Sequence, residues 1–243
     1  MQRARRLASI AVIAVLGTTA LSACRSEPNV AAYVGDRKIT ENEVTSVLND
    51  AKSKVPPTST PTVEAGAPEA GAPPESTVKA PTRGEVVRVL VMEEVCRRLA
   101  ADKGFQPAQA PPADEWAGQQ GLPVGSRYVQ HAINLQSCIS AAPTGQPVAP
   151  SQQDLADLMA RGQAAGVMPP EVDVEQVRQR YDGDTLRGGF ALRQTLTTAV
   201  ADYRVKLNPR YGQQEYPLLL LGDAALVVVQ IGDEGPDMVV DAR

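Results

Sequence analysis

The stretch VAAYVGDRKITENEV, residues 30–44, predicts where the folded part of this chain begins. Val30–Val34 alternates its side chains with the period of two that is typical of a β-strand. Gly35 and Asp36 follow, and both residue types tolerate the positive φ angles of a tight hairpin turn. Residues 37–39 then return as a second short strand. The first half of the stretch therefore predicts a β-hairpin.

The second half of the same stretch predicts the start of a helix. Thr40 occupies the N-cap position, and Glu43, three residues later, completes the pattern of a capping box. Ile39 and Val44 flank the cap at the spacing of a hydrophobic staple. Because these local rules agree on one boundary, we expect the helix to begin directly after the hairpin.

Composition and charge narrow the class of protein. The 243 residues are 43% hydrophobic and 21% charged, as in ordinary globular proteins, but only 4% are aromatic. We therefore expect a core of Val, Leu, Ala and Ile. The formal net charge is −4, and it becomes −7 without residues 1–23, which leaves 21 basic against 28 acidic residues. The acidic balance and the lack of a basic stripe argue against nucleic-acid binding.

Residues 1–23 have the pattern of an export signal peptide. Three arginines, Arg3, Arg5 and Arg6, precede an apolar run over 7–16 that is too short to cross a bilayer as a helix. LSAC, residues 21–24, resembles the lipobox of bacterial lipoproteins, in which the cysteine is diacylated and becomes the new N-terminus. The resemblance implies a lipid anchor on Cys24, a tether over 24–29 and an extracytoplasmic, membrane-anchored protein. An ordinary cleaved signal peptide with a chance cysteine is the alternative.

Cys96 and Cys138 are the other two cysteines of the chain. In an exported domain two cysteines can form a disulfide, and both fall on predicted helices, so a bond would join one helix to another. The alternative is a pair of buried free thiols. A metal site is not expected, because the chain has no CxxC motif and only one histidine.

Low-complexity sequence divides the mature chain. Residues 53–82 are rich in Pro, Ala, Thr and Glu and contain almost no large apolar side chain, which predicts a disordered insertion. We expect one folded domain over 30–232, interrupted by this insertion, and a flexible tail over 233–243.

Helical patterns account for most of that domain. Residues 83–103 predict the strongest helix, which Gly104 ends, and its apolar residues lie on several faces, as in a central helix. Residues 105–125 are predicted as loop. Two strands are predicted near the C-terminus, over 218–221 and 226–231, and we expect the second to pair with the N-terminal hairpin. The predicted fold class is mainly α with a small β-sheet (α+β). Further helices are predicted over 126–140, 151–165, 173–181 and 184–206.

The sequence contains no recognisable catalytic constellation. GxGxxG, P-loop, HExxH and GxSxG motifs are all missing. His131 is the sole histidine and no nucleophile motif accompanies it, so we expect a surface or helix-packing role. Asp182-Gly183-Asp184 resembles a fragment of a calcium loop but lacks the remaining ligands, which favours a turn and a helix cap. We predict no catalytic residue, no cofactor and no metal.

Two motifs resemble the N-terminal module of SurA/PrsA-type foldases. The opening stretch is similar to a family pattern V-A-x-V-N-G-x-x-I-T-x-x-E-[VL], although Val34 stands where the family has Asn. A second stretch, NPRYG over 208–212, resembles a motif of SurA-N-like lipoproteins. The resemblance covers these short motifs and, more loosely, the order of elements. The matching residues are Val30, Ala31, Gly35, Ile39, Thr40, Glu43 and Val44 in the first motif and Asn208, Pro209, Arg210, Tyr211 and Gly212 in the second.

The resemblance implies a helical chaperone domain that binds unfolded or nascent exported polypeptides. Many members add a parvulin prolyl isomerase domain, but this chain has no GGDLG-like stretch and no room for such a domain. We therefore expect chaperone-like binding without catalysis. Two alternatives stay open: an envelope lipoprotein that binds one specific protein partner or ligand, and a degenerate peptidyl-prolyl isomerase. The chaperone and the specific binder share one scaffold, so the fold cannot decide between them.

Overall fold

The computed structural model describes residues 27–56, 78–181, 183–222 and 224–232. The predicted signal peptide 1–23, Cys24, most of the predicted insertion 53–82 and the tail 233–243 lie outside these residues. The described part has the predicted mainly α, α+β architecture. Its helices are α1 Glu41–Ser53, α2 Arg83–Lys103, α3 Ala113–Gln119, α4 Arg127–Ala141, α5 Gln152–Ala164, α6 Val174–Tyr181 and α7 Asp184–Asp202, and its strands are β1 Val30–Val34, β2 Arg37–Thr40, β3 Lys206–Leu207, β4 Gln214–Leu221 and β5 Ala224–Ile231.

The N-terminal hairpin forms as predicted and belongs to a sheet with the strand order β2-β1-β3. Gly35 turns the chain with a φ of 59°, in the left-handed region that favours glycine. The expectation that 226–231 pairs with this hairpin is wrong, because the partner from the C-terminal region is β3, which lies antiparallel to β1. The strand β5 pairs with β4 in a separate antiparallel sheet. Only two residues separate β4 from β5, so their pairing costs little loop-closure entropy.

Side-chain caps fix where the helices begin. Thr40 accepts a hydrogen bond from the Glu43 backbone N–H at 3.1 Å, but the reciprocal half of the predicted capping box is missing. The Glu43 carboxylate instead binds Arg37 at 2.9 Å. Complete capping boxes open α2, through Thr82 and Glu85, and α5, where the cap is the predicted Ser151.

The helix α2 is central, as its sequence predicts. Nine of its apolar side chains are buried, and they lie on several faces of the helix. Gly104 ends it in the left-handed conformation, with a φ of 70°, at the predicted position. The N-terminal sheet, α1 and α4 all contact this helix, which makes it the axis of the first hydrophobic core.

A second core forms beside the first. It contains Leu155 and Leu158 of α5, Val177 of α6 and the beginnings of α7 and β5. Leu186 and Phe190 of α7 belong to this second core, whereas later residues of the same helix belong to the first. The β4–β5 sheet is shared in the same way. The two cores therefore meet along α7 and this sheet.

Several predicted boundaries differ from the structure. The two C-terminal strands begin earlier than predicted, at Gln214 and not 218, and at Ala224 and not 226. The predicted loop 105–125 contains the short helix α3, in which Trp116 packs beside the buried Ala117. The helix α7 ends at Asp202 and not near 206, because Arg204 adopts a positive φ of 50° and the chain then joins the sheet as β3. Pro112 precedes α3 without a side-chain cap, which explains why the sequence gives little signal for that helix.

Candidate functional site

One concave surface of the described residues lies where the two cores meet, and we call it the α7 groove. It has a volume of about 420 Å³ and is bounded by the end of α4, the start of α7 and the middle of β4. Its lining consists of Gln136, Ile139, Ser140, Ala142, Thr144, Thr185, Gly188, Gly189, Leu192, Tyr216, Pro217, Leu218 and Leu219.

Two adjacent glycines form one wall of the α7 groove. Gly188 and Gly189 lie inside the helix α7, where each glycine costs about 0.5–1 kcal/mol relative to alanine. A Cβ atom added at either position would meet no other atom within 4 Å. The packing of the chain on itself therefore does not require glycine here. The glycines leave helix backbone uncovered on an open groove, where another backbone can approach closely.

The opposite wall is the irregular middle of β4. Pro217 has no backbone N–H to donate, and the register of the β4–β5 ladder shifts between Pro217 and Leu219. Leu218 packs against both cores. Burial, with a smaller contribution from the neighbouring Tyr128, raises the pKa of Tyr216 to about 12.

A second cleft, of about 620 Å³, lies further along α7. A strap over residues 142–148 separates it from the α7 groove, and Thr144 lines both spaces. The strap is held on α7 by a hydrogen bond from the Val148 N–H to the Arg187 carbonyl at 3.3 Å. Tyr203 closes one end of the cleft by donating its hydroxyl to Asp102 at 2.6 Å.

A third cleft, of about 370 Å³, lies beside Cys138, and Glu93 is part of its lining. The Nδ1 atom of His131 lies 2.6 Å from Glu93, whose other carboxylate oxygen accepts a hydrogen bond from Asn134 at 3.0 Å. These contacts give His131 the helix-packing role predicted from the sequence. Within the described residues, no group of three or more His, Cys, Asp or Glu side chains could hold a metal ion.

The structure brings the two family-like motifs together in one cluster, which we call the N-terminal clamp. Asn208 is buried, donates its side-chain amide to the Val30 carbonyl at 2.9 Å, and donates its backbone N–H to the Ala31 carbonyl at 2.8 Å. Arg210 donates to the Pro28 carbonyl at 2.8 Å. Tyr211 donates its hydroxyl to Glu41, at the start of α1. These residues fasten the beginning of the domain and line none of the three clefts.

The remaining residues of the motifs have structural roles. Ile39 is buried and directly precedes Thr40, the residue that caps α1. A Cβ atom at Gly35 would lie 2.8 Å from a terminal nitrogen of Arg98, at the movable end of that side chain, so it is the positive φ that favours glycine there. Pro209 begins a single 3₁₀ turn, which Gly212 ends with a φ of 58°.

Cys96 and Cys138 are joined in a disulfide that links α2 to α4, with their Cα atoms 6.1 Å apart. The lipidation candidate, Cys24, lies outside the described residues. None of the described helices combines the length and the apolar character needed to cross a membrane.

Reasoning from the sequence alone did not find the α7 groove. Its one local signal is the pair Gly188-Gly189, which weakens an otherwise well-patterned helix without a turn or a cap to explain it. The other walls come from distant parts of the chain, so no local pattern marks them. Comparison of the chain with family models, with curated proteins and with solved structures returned no match.

Proposed function

We propose that this protein is a lipid-anchored, extracytoplasmic, chaperone-like protein that binds extended segments of unfolded or nascent exported polypeptides in the α7 groove. The observation that carries the proposal is the pair Gly188-Gly189, which keeps helix backbone open on a groove floored by apolar side chains. The export signal and the lipobox-like LSAC at 21–24 support the location, and the two family-like motifs support the chaperone class.

Binding in the groove uses two kinds of contact. Leu192, Leu218 and Ile139 offer apolar surface that side chains of an extended segment can cover. The Gln136 and Ser140 side chains lie at the same groove and can hydrogen-bond a peptide backbone. Apolar contacts and backbone hydrogen bonds depend little on the sequence of the bound segment, as a chaperone requires. The proposed function includes no bond-breaking step.

The experiment fills the groove without disturbing the fold. In Gly188→Leu a side chain enters open space, and the loss of a helix glycine raises stability by about 0.5–1 kcal/mol. We expect this variant to suppress aggregation of a reduced, unfolded test protein at least fivefold less well than the wild type, while its thermal midpoint is unchanged or higher.

Gly118→Leu is the matched control. Gly118 also lies in a helix with no atom within 4 Å of an added Cβ, but it lies outside the groove, so this variant should retain full suppression. Equal suppression of aggregation by both variants would show that the α7 groove is not the binding site. A wild-type protein that fails to suppress aggregation at stoichiometric ratio would contradict the chaperone function itself.

A specific binding protein is the second candidate, and the surface favours it in one respect. Among the described residues only Val124, Val148 and Leu220 are exposed large apolar side chains, at 46%, 37% and 57%, and they do not form a broad apolar patch. A protein with so little exposed apolar surface suits one partner better than many. Capture from an envelope extract distinguishes the two: a single stoichiometric partner supports specific binding, and a spectrum of unfolded chains supports the chaperone.

A further inference from the structure

The outer face of the N-terminal sheet carries a row of two lysines and a tyrosine. Tyr33 of β1 is directly opposite Lys38 of β2 and directly opposite Lys206 of β3. Residues that pair across neighbouring strands point to the same face of a sheet. The next pair along β3, Leu207 with Ala32, packs into the first core, so the row faces away from it. We call these three residues the Lys-Tyr-Lys row.

Both lysines of the row are exposed, and one of them has no carboxylate partner among the described residues. Lys38 and Lys206 are exposed, Tyr33 is half-buried, and the Lys38 ammonium lies 5.9 Å from the centre of the Tyr33 ring. Arg204, two residues before Lys206, is also exposed. Within the described part of the chain, neither Lys206 nor Arg204 forms a salt bridge, whereas Lys38 pairs with Glu27 at 2.6 Å. These cations stand out on a chain with a formal net charge of −4.

The row lies close to the proposed lipid anchor. Glu27 lies three positions after Cys24, and a fully extended chain of that length spans about 10 Å. Glu27 contacts Lys38 of the row, and Pro28 is held by Arg210 of the N-terminal clamp. The end of the tether is therefore fixed beside the row. An anchor on Cys24 keeps this face within about one to two Debye lengths of the bilayer surface at physiological ionic strength.

We propose that the Lys-Tyr-Lys row, together with Arg204, binds anionic phospholipid headgroups of the bilayer that carries the anchor, and so sets the orientation of the domain on the membrane. The inference rests on the lipid anchor of the proposed function. Basic side chains near an anionic leaflet are attracted to it, and tyrosine is favoured at the headgroup level, where its ring is half apolar and half hydrated. The anionic bilayer surface repels the rest of this acidic domain, so the domain turns the face with the Lys-Tyr-Lys row towards the bilayer.

The test uses the full-length lipidated protein in vesicles and an indole placed in the row. Tyr33→Trp with Trp116→Phe leaves position 33 with the one indole of the chain. Quenching by a headgroup spin-labelled lipid should be at least twofold stronger in vesicles with 30% phosphatidylglycerol than in pure phosphatidylcholine. Adding Lys206→Glu and Arg204→Glu should abolish that difference.

Lys52→Glu with Lys79→Glu is the matched control, because it changes the net charge equally. Both lysines are exposed, and Lys52 lies near the far end of α1, about 17 Å along the helix from Glu41 beside the tether. This control should keep the full difference in quenching. Equal quenching in both lipid mixtures, or equal loss in the control, overturns the orientation.

Two further outcomes separate the causes of failure. Protein that does not float with vesicles refutes the anchor, and with it both the proposed location and this inference. Protein that floats but shows no dependence on lipid charge refutes the orientation alone. If 10 mM inorganic phosphate shifts the indole emission with phosphatidylcholine vesicles as strongly as phosphatidylglycerol does, the row binds free anions and the membrane assignment is wrong.

Discussion

Removing the disulfide should cost a large part of the stability of this domain. The bond joins Cys96 and Cys138 across a sequence separation of 42 residues. In the chain-entropy description, a cross-link that closes a loop of this length destabilises the unfolded chain by about 4 kcal/mol at room temperature. A whole domain is typically stable by only about 5–15 kcal/mol. We therefore expect the bond to be a major contributor to stability.

The disulfide can be removed in two independent ways. Cys96→Ala with Cys138→Ala removes the bond and two buried sulfur atoms, whereas reduction of the wild type by a phosphine removes only the bond. Urea unfolding, followed by circular dichroism, should give both samples a free energy of unfolding about 4 kcal/mol below the oxidised wild type. The urea m-value should rise, because the unfolded chain without a cross-link exposes more surface. Phosphine should have no effect on the double variant.

Two results would refute this reasoning. Titration of two free thiols in the native protein, purified under oxidising conditions, would show that the bond does not form. A loss below about 1 kcal/mol with an unchanged m-value would show that the cross-link does not constrain the unfolded chain. In that second case the helices α2 and α4 would be held together by packing alone.

Three other substitutions test the packing and the charges of the fold. Asn208→Ala should lower the free energy of unfolding by about 1–3 kcal/mol, because a buried carbonyl loses its donor, and urea unfolding measures the loss. Gly162→Ala should destabilise by about 1–3 kcal/mol, because the new methyl group would lie 2.6 Å from the buried Met168 sulfur; an unchanged thermal midpoint would contradict this contact. The hydrogen bond from Arg161 lowers the pKa of Glu215 below its usual 4.5, so this ion pair stabilises the domain above pH 4.5 and its contribution disappears as the pH falls through the lowered pKa. Arg161→Gln should therefore lose stability less steeply than the wild type between pH 5 and pH 3 in urea titrations.

The elements that the sequence predicted well are those whose boundaries depend on neighbouring residues. The hairpin at Gly35, the cap at Thr40 and the end of α2 at Gly104 each follow from the conformational preferences of one or two residues. The half-formed capping box shows that local preferences do not predict a side-chain bond when a residue from elsewhere in the fold offers another partner. Glu43 has the right spacing for its carboxylate to accept a hydrogen bond from the Thr40 backbone N–H, but the carboxylate binds Arg37 of the neighbouring strand instead.

The pairing of the C-terminal strands could not be predicted from neighbouring residues. The segment 226–231 is a β-branched, apolar run that suits any partner, and the hairpin and β4 are both available to it. The two residues between β4 and β5 make their pairing the one with the lower cost in chain entropy. The strand β3, which does pair with the hairpin, has only two residues, too few for a period of two to be visible.

The motifs that suggested a family turn out to act far from the surface that suggests a function. Asn208, Arg210 and Tyr211 hold the first strand and the first helix in place, and none of them lines any of the three clefts found among the described residues. A resemblance carried by such residues predicts how the ends of the domain are joined, but not what the domain binds. Binding depends on the α7 groove, whose marker, Gly188-Gly189, belongs to neither motif. Substitutions in the two sets of residues should therefore have independent effects. Variants in the N-terminal clamp should change the stability of the domain with little effect on binding, and variants in the groove should change binding with little effect on stability.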